Sequence, residues 1–249
     1  MKRIVYFSFL VLSVFSAVAQ NDEKLVATQL VNKNATSIGI SQDNLDNYMV
    51  SSSYFDKTTA TQMVYLIQSY LGLPVYNQVL VLAFKNDQLI SKAGQFNISI
   101  EKQVNVKNAV PAISADKAVM IALADRKLST TEMPVVIDRK DNGRKMVFSK
   151  MGISIENITA QLMWVPVENT GMVRLAWEVY IIPKTTSDYW LVRVDAIDNS
   201  ILDIDNLTTY CNWDHPDGHK DHSTCNATVN NNFDKNENSI NFFDFNKPG

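Results

Sequence analysis

The side chains best suited to metal or thiol chemistry are gathered in one stretch, residues 211–225. This stretch holds every histidine and both cysteines of the chain: His215, His219, His222, Cys211 and Cys225. Imidazole and thiolate ligands at such spacings can bind zinc or copper. Three interpretations are open: a disulfide-closed polar loop, a metal site made by the three histidines, or a structural Cys2His2 zinc site.

These histidines do not form the centre of a zinc hydrolase. A catalytic zinc helix needs H-E-x-x-H, in which two histidines bind the metal and the glutamate activates water. His215 and His219 have this spacing, but Pro216 stands in the glutamate position and Gly218 weakens a helix. Because every histidine lies in this tail, a Ser-His-Asp triad is not predicted either. We therefore expect a chain that is not an enzyme and has no cofactor of its own.

Residues 1–19 have the composition of a secretory signal peptide. A positive start, an almost unbroken apolar run and a small-x-small cleavage site follow one another: Lys2-Arg3, residues 4–14 and Ala17-Val18-Ala19. The run is shorter than the roughly 20 residues that a transmembrane helix needs, which disfavours an N-terminal membrane anchor. We expect a secreted or periplasmic protein with no membrane attachment after signal cleavage.

An exported protein enters an oxidising compartment, which favours a disulfide between the two cysteines. We predict a disulfide between Cys211 and Cys225, which stabilises the fold by about 3 kcal/mol on a chain-entropy estimate. The tail as a whole, residues 210–249, is polar and rich in Asn and Asp, so we expect it to be partly disordered.

Composition limits the partners of the chain. Lys and Arg number 23 against 26 Asp and Glu, the net charge is −3, and no basic block is present. Neutralising a phosphate backbone needs clustered positive charge, so nucleic-acid binding is not expected. With 46% hydrophobic residues, the 249-residue chain can form one large domain or two small ones.

Strands dominate the region that follows a polar, flexible lead-in predicted over residues 20–40. Alternating and β-branched residues predict four strands: residues 50–55, 61–70, 75–84 and 89–96. Their short connections predict an antiparallel meander.

A helix and six more strands are predicted further along the chain. Ser114 is a candidate N-cap for an alanine-rich helix over residues 115–123. The strands are predicted over residues 133–137, 145–149, 160–165, 172–182, 188–196 and 200–207. Asp141-Asn142-Gly143 and Asp198-Asn199 are turn signals between them. The whole pattern predicts an α+β fold of two antiparallel-sheet modules with helices packed on one face.

The segment Tyr65–Asn77 resembles the core motif of fungalysin/thermolysin propeptides, in which a strand ends in Q-x-Y-x-G-[IL]-P-V-[FY] and a return strand follows. The matching residues are Gln68, Tyr70, Gly72, Pro74, Val75 and Tyr76. In the return, Gln88 stands at the turn glycine of the family. The resemblance implies a propeptide module over residues 41–100.

Later residues resemble the PepSY-like segment of the same propeptides. The helix pattern and two strand motifs of the family are matched by Ser114-x3-Ala118-x3-Ala122, by Leu175-Ala176-Trp177-Glu178-Val179 and by Trp190-Leu191-Val192-Arg193-Val194-Asp195-Ala196. The turn glycine of the family is Asn199 here, a residue that tolerates positive φ. The resemblance implies a second module over residues 112–209 with a cystatin/PepSY-like fold.

The family resemblance implies a role without catalysis. Such propeptides help a secreted zinc metallopeptidase to fold and keep it inactive until cleavage, so the implied partner is the catalytic domain, which would bind the zinc. Because H-E-x-x-H is missing, we expect a propeptide without its protease domain. The alternative is a stand-alone secreted binding or adhesion module of the same fold, with or without a metal-binding Cys/His tail.

Two further choices concern single side chains of the second module. Trp164, Trp177 and Trp190 either line a binding groove or pack in the core, which is the commoner role of tryptophan in strands. Asp195 either contacts the peptidase as an inhibitory group or caps the turn after its strand, and we favour the cap.

Overall fold

The computed structural model describes residues 23–41, 46–97 and 99–208. The chain divides into two compact units, one up to Lys102 and one from Gln103 onward, and each has its own sheet. The predicted signal peptide lies outside the described residues. The module bounds predicted at 41–100 and 112–209 stay predictions.

The first unit contains, among its described residues, a four-stranded antiparallel sheet preceded by helices. Helix α1 covers residues 23–33, and helix α2 covers Ala35–Ile38. The strands, each paired with the next, are β1 (Tyr48–Asp56), β2 (Thr61–Tyr70), β3 (Leu73–Lys85) and β4 (Gln88–Gly94). Helix α3 (Ile100–Gln103) lies at the boundary between the units. The predicted antiparallel meander is confirmed.

Residues 20–40 were predicted to be a flexible lead-in, and for their described part this is wrong. Ala27, Leu30 and Val31 follow the i, i+3, i+4 spacing of one helix face, and all three are buried. They share a core with the inward residues of β2 and β3: Val64, Leu66, Leu80, Leu82 and Phe84. Polar neighbours hide this short apolar stripe in the sequence, and packing on the sheet stabilises the helix.

Polar side chains fasten these helices to the turn between β3 and β4. The amide nitrogen of Asn34 donates to the carbonyl oxygens of Leu30 (2.9 Å) and Asp87 (3.0 Å). Lys92 Nζ donates to the carbonyl oxygen of Ile38 at 2.8 Å. The end of α1 is therefore held at the β3–β4 turn, and the end of α2 is held by a side chain of β4.

Glycine is required where β4 approaches β3. Gly94 has φ +85°, and a Cβ atom built there would lie 2.1 Å from the carbonyl oxygen of Val79. No side chain fits that gap, because backbone atoms cannot move aside as a flexible side chain can. The turn between β2 and β3 also needs positive φ, at Leu71 (51°) and Gly72 (74°), which is the pattern of a tight hairpin turn.

The second unit contains, within the described range, a six-stranded antiparallel sheet with a helix packed on it. The helix is α4 (Ala115–Asp125). The strands pair in chain order and are β5 (Val136–Lys140), β6 (Lys145–Phe148), β7 (Ile158–Val167), β8 (Met172–Ile181), β9 (Trp190–Asp195) and β10 (Ile201–Asn206). With few helices and antiparallel sheets in both units, the α+β prediction is confirmed.

The core of the second unit lies between α4 and the sheet. The helix contacts β7, β8 and β9. Its buried residues and those of the strands are Ala118, Val119, Ala122, Leu123, Leu162, Trp164, Leu175, Val179, Val192 and Val194. Alternation along each strand sends every second side chain into this core.

The start of α4 differs from the prediction in one respect. Ser114 takes the N-cap position with extended backbone, but its side chain makes no cap hydrogen bond. The segment before the helix is held by its backbone instead, since the amides of Ala112 and Ile113 donate to the carbonyl oxygen of Ala196 at 2.8 and 3.1 Å.

Both predicted turns of the second unit are confirmed. Asp141–Gly143 forms a short 3-10 turn between β5 and β6, with Asn142 at φ 54°. Asn199 joins β9 and β10 at φ 71°.

Candidate functional site

The propeptide-like motif of the first unit lies on the hairpin β2–β3, and Gln68 makes two hydrogen bonds beyond this hairpin. The side chain is 4% exposed. Its Nε2 donates to the carbonyl oxygen of Asn97 at 2.7 Å, and its Oε1 accepts from the Asn97 amide at 2.7 Å. Gln68 therefore clamps the backbone that follows β4, using both ends of its amide.

The other motif residues shape the hairpin turn and the start of β3. Tyr70 pairs with Leu73 across the turn, and Ser69 pairs with Pro74, which has no amide to donate. Val75 is 1% exposed, Gly72 is exposed, and Tyr70, Pro74 and Tyr76 are half-buried. The motif thus builds a hairpin, and its residues do not converge as a catalytic group would.

One face of the first sheet carries α1, and the central part of the other face is uncharged. We call this second face the open face, and the strand pairing assigns to it Met49, Ser52, Tyr54, Met63, Tyr65, Ile67, Val79, Val81, Ala83, Ser91 and Ala93. These positions alternate with the core residues, so their side chains point away from α1. Tyr54 and Tyr65 stack there with ring centroids 6.2 Å apart. A hydrogen bond with Tyr54, together with burial, raises the pKa of Tyr65.

In the second unit, the two motif tryptophans hold the two ends of α4. Trp177 is 3% exposed, and its Nε1 donates to the carbonyl oxygen of Ile113 at 3.0 Å, just before the helix. Trp190 lies under the guanidinium of Arg126, which caps the helix C-terminus 4.7 Å from the ring centroid. Trp164 is fully buried. Trp164 and Trp177 are therefore core residues, and the binding-groove interpretation is wrong for them.

Asp195 caps the turn after β9, as favoured from the sequence. The side chain is fully buried, and its Oδ1 accepts hydrogen bonds from the amides of Ile197 (2.7 Å) and Asp198 (3.0 Å). Its other oxygen forms an ion pair with Arg174 Nε. Because no surface of this carboxylate is exposed, a direct inhibitory contact with another protein is not supported.

A second charged group, absent from the sequence-based predictions, surrounds the fully buried side chain of Arg193. Its guanidinium donates to three carboxylates on the two flanking strands: Glu178 (3.0 Å), Asp203 (2.6 Å) and Asp205 (2.8 Å). Burial raises the pKa of Glu178, and the neighbouring aspartates add to the rise, although Arg193 opposes it. The sequence shows charged residues at alternate positions of the predicted strands. It does not show which of them become neighbours, because strand register determines that.

The predicted metal and disulfide sites can be compared with the described part of the chain only. Within residues 23–208, leaving aside 42–45 and 98, no group of three or more His, Cys, Asp or Glu side chains is placed to hold a metal ion. The candidate disulfide Cys211–Cys225 and the candidate ligands His215, His219 and His222 lie outside the described residues. No helix in the described part is both long and apolar enough to span a bilayer.

Comparison with known proteins identifies one part of the chain. Residues 46–96 match the family described as Fungalysin/Thermolysin Propeptide Motif, a range that contains the whole sheet β1–β4. This match confirms the resemblance carried by Tyr65–Asn77. No curated protein matches the chain.

Among solved structures, the Bacillus megaterium YpeB C-terminal domain is similar, with 10% sequence identity and a TM-score of 0.34. The match covers 73% of this chain and 65% of that one. This chain therefore spans less than two thirds of the length of that structure.

Proposed function

We propose that this chain is the propeptide region of a secreted zinc metallopeptidase of the fungalysin/thermolysin type, which it helps to fold and keeps inactive. The observation that supports the proposal is the propeptide motif at residues 46–96, a range that contains all four strands β1–β4. The signal peptide at 1–19 and the PepSY-like nature of residues 112–209 belong to the same proposal.

The proposed action needs no chemistry from the chain itself. Inhibition follows when a rigid sheet and its loops cover the active-site cleft of the peptidase and exclude substrate. Assistance in folding follows from the same complementarity, because a surface that binds only the native peptidase stabilises it by mass action. The Gln68 clamp on Asn97 and the close approach at Gly94 make the first sheet a preorganised surface for such binding.

The test is inhibition in trans. Mature chain, residues 20–249, is added to thermolysin, and hydrolysis of a fluorogenic peptide is followed at rising concentrations of the chain. We expect saturable inhibition, and a higher yield of active thermolysin when denatured enzyme is refolded in its presence.

A Gly94→Val variant serves as the control, because the Val79 carbonyl excludes any side chain there and the sheet cannot form as it does in the native chain. Equal activity and equal refolding yield with native chain, variant and buffer would count against the proposed function.

A further inference from the structure

The open face of the first sheet is apolar, partly exposed and free of formal charge. Tyr54 is 46% exposed and Met49 is 36% exposed, and the side chains of Met63, Tyr65 and Ile67 beside them are half-buried. Apolar side chains of β1, β2 and β3 lie directly opposite one another on this face, as in the pairs Met49–Ile67, Tyr54–Met63 and Tyr65–Val81. Contiguous apolar patches of roughly 300–600 Å² are often functional on proteins that fold in water.

Charge begins where the open face ends. Asp56 follows Tyr54, and Lys85 follows Ala83, two positions further along β1 and β3, so both side chains point to the side of the open face. Both form hydrogen bonds with residues of the β1–β2 turn. Asp56 accepts from the Thr58 amide (2.9 Å) and the Thr59 hydroxyl (2.7 Å), while Lys85 Nζ donates to the Thr59 carbonyl oxygen (3.2 Å). An uncharged centre with a polar boundary is the anatomy of a protein–protein interface. An uncharged partner surface fits it, since a charge placed there would lose its water without gaining a counter-ion.

The size of the open face limits the kind of partner. Four strands about 4.8 Å apart and about five residues long give a footprint of roughly 300 Å². A stable complex between free proteins buries about 800 Å² on each partner. The patch alone is therefore too small to hold a second copy of this chain as a stable dimer. It suits a partner that is covalently tethered, because a tether raises the effective concentration into the millimolar range.

We propose that the open face docks an uncharged apolar surface of the peptidase catalytic domain, to which a propeptide is tethered until it is cleaved. The inference rests on the proposed function and adds the face through which it acts. Once the tether is cut, a contact of this size loses most of its effective concentration, so the freed propeptide leaves more readily than a full-sized inhibitor would.

The test compares two adjacent aromatic residues of β1. Tyr54 lies on the open face, whereas Phe55, which is 55% exposed, lies on the opposite face because side chains alternate. Tyr54→Lys and Phe55→Lys therefore introduce the same charge at similar exposure. We expect Tyr54→Lys to raise the inhibition constant of the mature chain for thermolysin about tenfold or more, and Phe55→Lys to change it less than about twofold.

Met49→Lys is the second open-face variant, in case Tyr54→Lys unfolds the sheet, and circular dichroism reports folding of all three. If native chain, both open-face variants and Phe55→Lys all inhibit with equal inhibition constants, the open face is not the docking face. That result would leave the proposed function standing. No inhibition by native chain, even at the millimolar concentrations that match the effective concentration of a tether, would overturn both. A native dimer in sedimentation that Tyr54→Lys dissociates would assign the face to a second copy, which also overturns the proposal.

Discussion

At the scale of single residues, the motif glutamine of the first unit acts through backbone contacts. Gln68 joins β2 to a segment 29 positions further along the chain, and both hydrogen bonds, to the amide and the carbonyl of Asn97, measure 2.7 Å. Removing the Gln68 side chain takes one hydrogen-bond partner from both the amide and the carbonyl of Asn97. Because Gln68 is buried, water replaces these hydrogen bonds poorly. Its role is to fix a loop against the sheet.

Replacing this glutamine tests that role. Gln68→Ala removes both hydrogen bonds, and we expect the free energy of unfolding to fall by about 2–3 kcal/mol. Gln88→Ala, at an exposed position of β4, is the control and should change stability by less than about 0.5 kcal/mol. Urea denaturation measures both, and equal effects would show that Gln68 is not a clamp.

The carboxylate of Glu178 gives a pH-dependent prediction. Its pKa is raised in the folded chain, chiefly by burial, so folding favours its protonated form. The stability that this group contributes is present below its unfolded pKa, near 4.5, and is lost as pH rises through the higher folded value. Glu178→Gln cannot titrate, so we expect its stability relative to the native chain to increase as pH rises.

Thermal unfolding of native and variant chains across this pH range measures the effect. Glu101→Gln, at an exposed position, is the control and should run parallel to the native chain. A stability difference between Glu178→Gln and native chain that is flat with pH, or that falls as pH rises, would refute the assignment.

At the scale of elements, strand pairing in the first unit depends on one close approach of backbone. Gly94 ends β4 opposite Leu80 and lies against the carbonyl of Val79. Its φ of +85° and the missing side chain are separate requirements, and the chain offers a position that has only the first. Gly143 has the same φ of +85° with nothing within 4 Å of a built Cβ.

Alanine substitutions at Gly94 and Gly143 separate the cost of a left-handed backbone from the cost of a steric clash. Gly143→Ala should cost about 1–2 kcal/mol, the penalty of a left-handed backbone. Gly94→Ala carries the same penalty together with a clash at 2.1 Å, so we expect a loss at least about 2 kcal/mol larger, or failure to fold. Chemical denaturation measures the free energy of unfolding of both variants. Equal losses of stability would mean that β3 and β4 can separate at little cost.

Local patterns in the sequence predicted the elements better than the contacts between them. The alternation in Thr61–Tyr70 and the turn signals at Asp141–Gly143 and Asn199 each depend on neighbouring residues, and each is confirmed. Helix α1 was missed because its apolar stripe is short and becomes stable only on the sheet. The ion pairs of Arg193 were missed because strand register, which the sequence does not state, brings Asp203 and Asp205 beside it.

At the scale of the whole molecule, each unit has its own sheet and its own helix-covered face. In the first unit, the family match covers the sheet β1–β4 but not α1, whose residues complete its core. A chain trimmed to the matched residues 46–96 would therefore lose Ala27, Leu30 and Val31 from that core. Functional tests accordingly need the mature chain rather than the matched segment.

The ion pairs around Arg193 also determine how β10 responds to mechanical force. The strand runs antiparallel to β9, so tension on the chain beyond Thr208 peels it from that end, one contact at a time. The hydrogen bond from the Thr208 hydroxyl to the Ser187 carbonyl opens first and that from the Leu207 amide to the Tyr189 carbonyl second, followed by the carboxylates of Asp205 and Asp203 on Arg193. We expect a strand held in this way to resist unzipping most strongly at the ion pairs of Arg193.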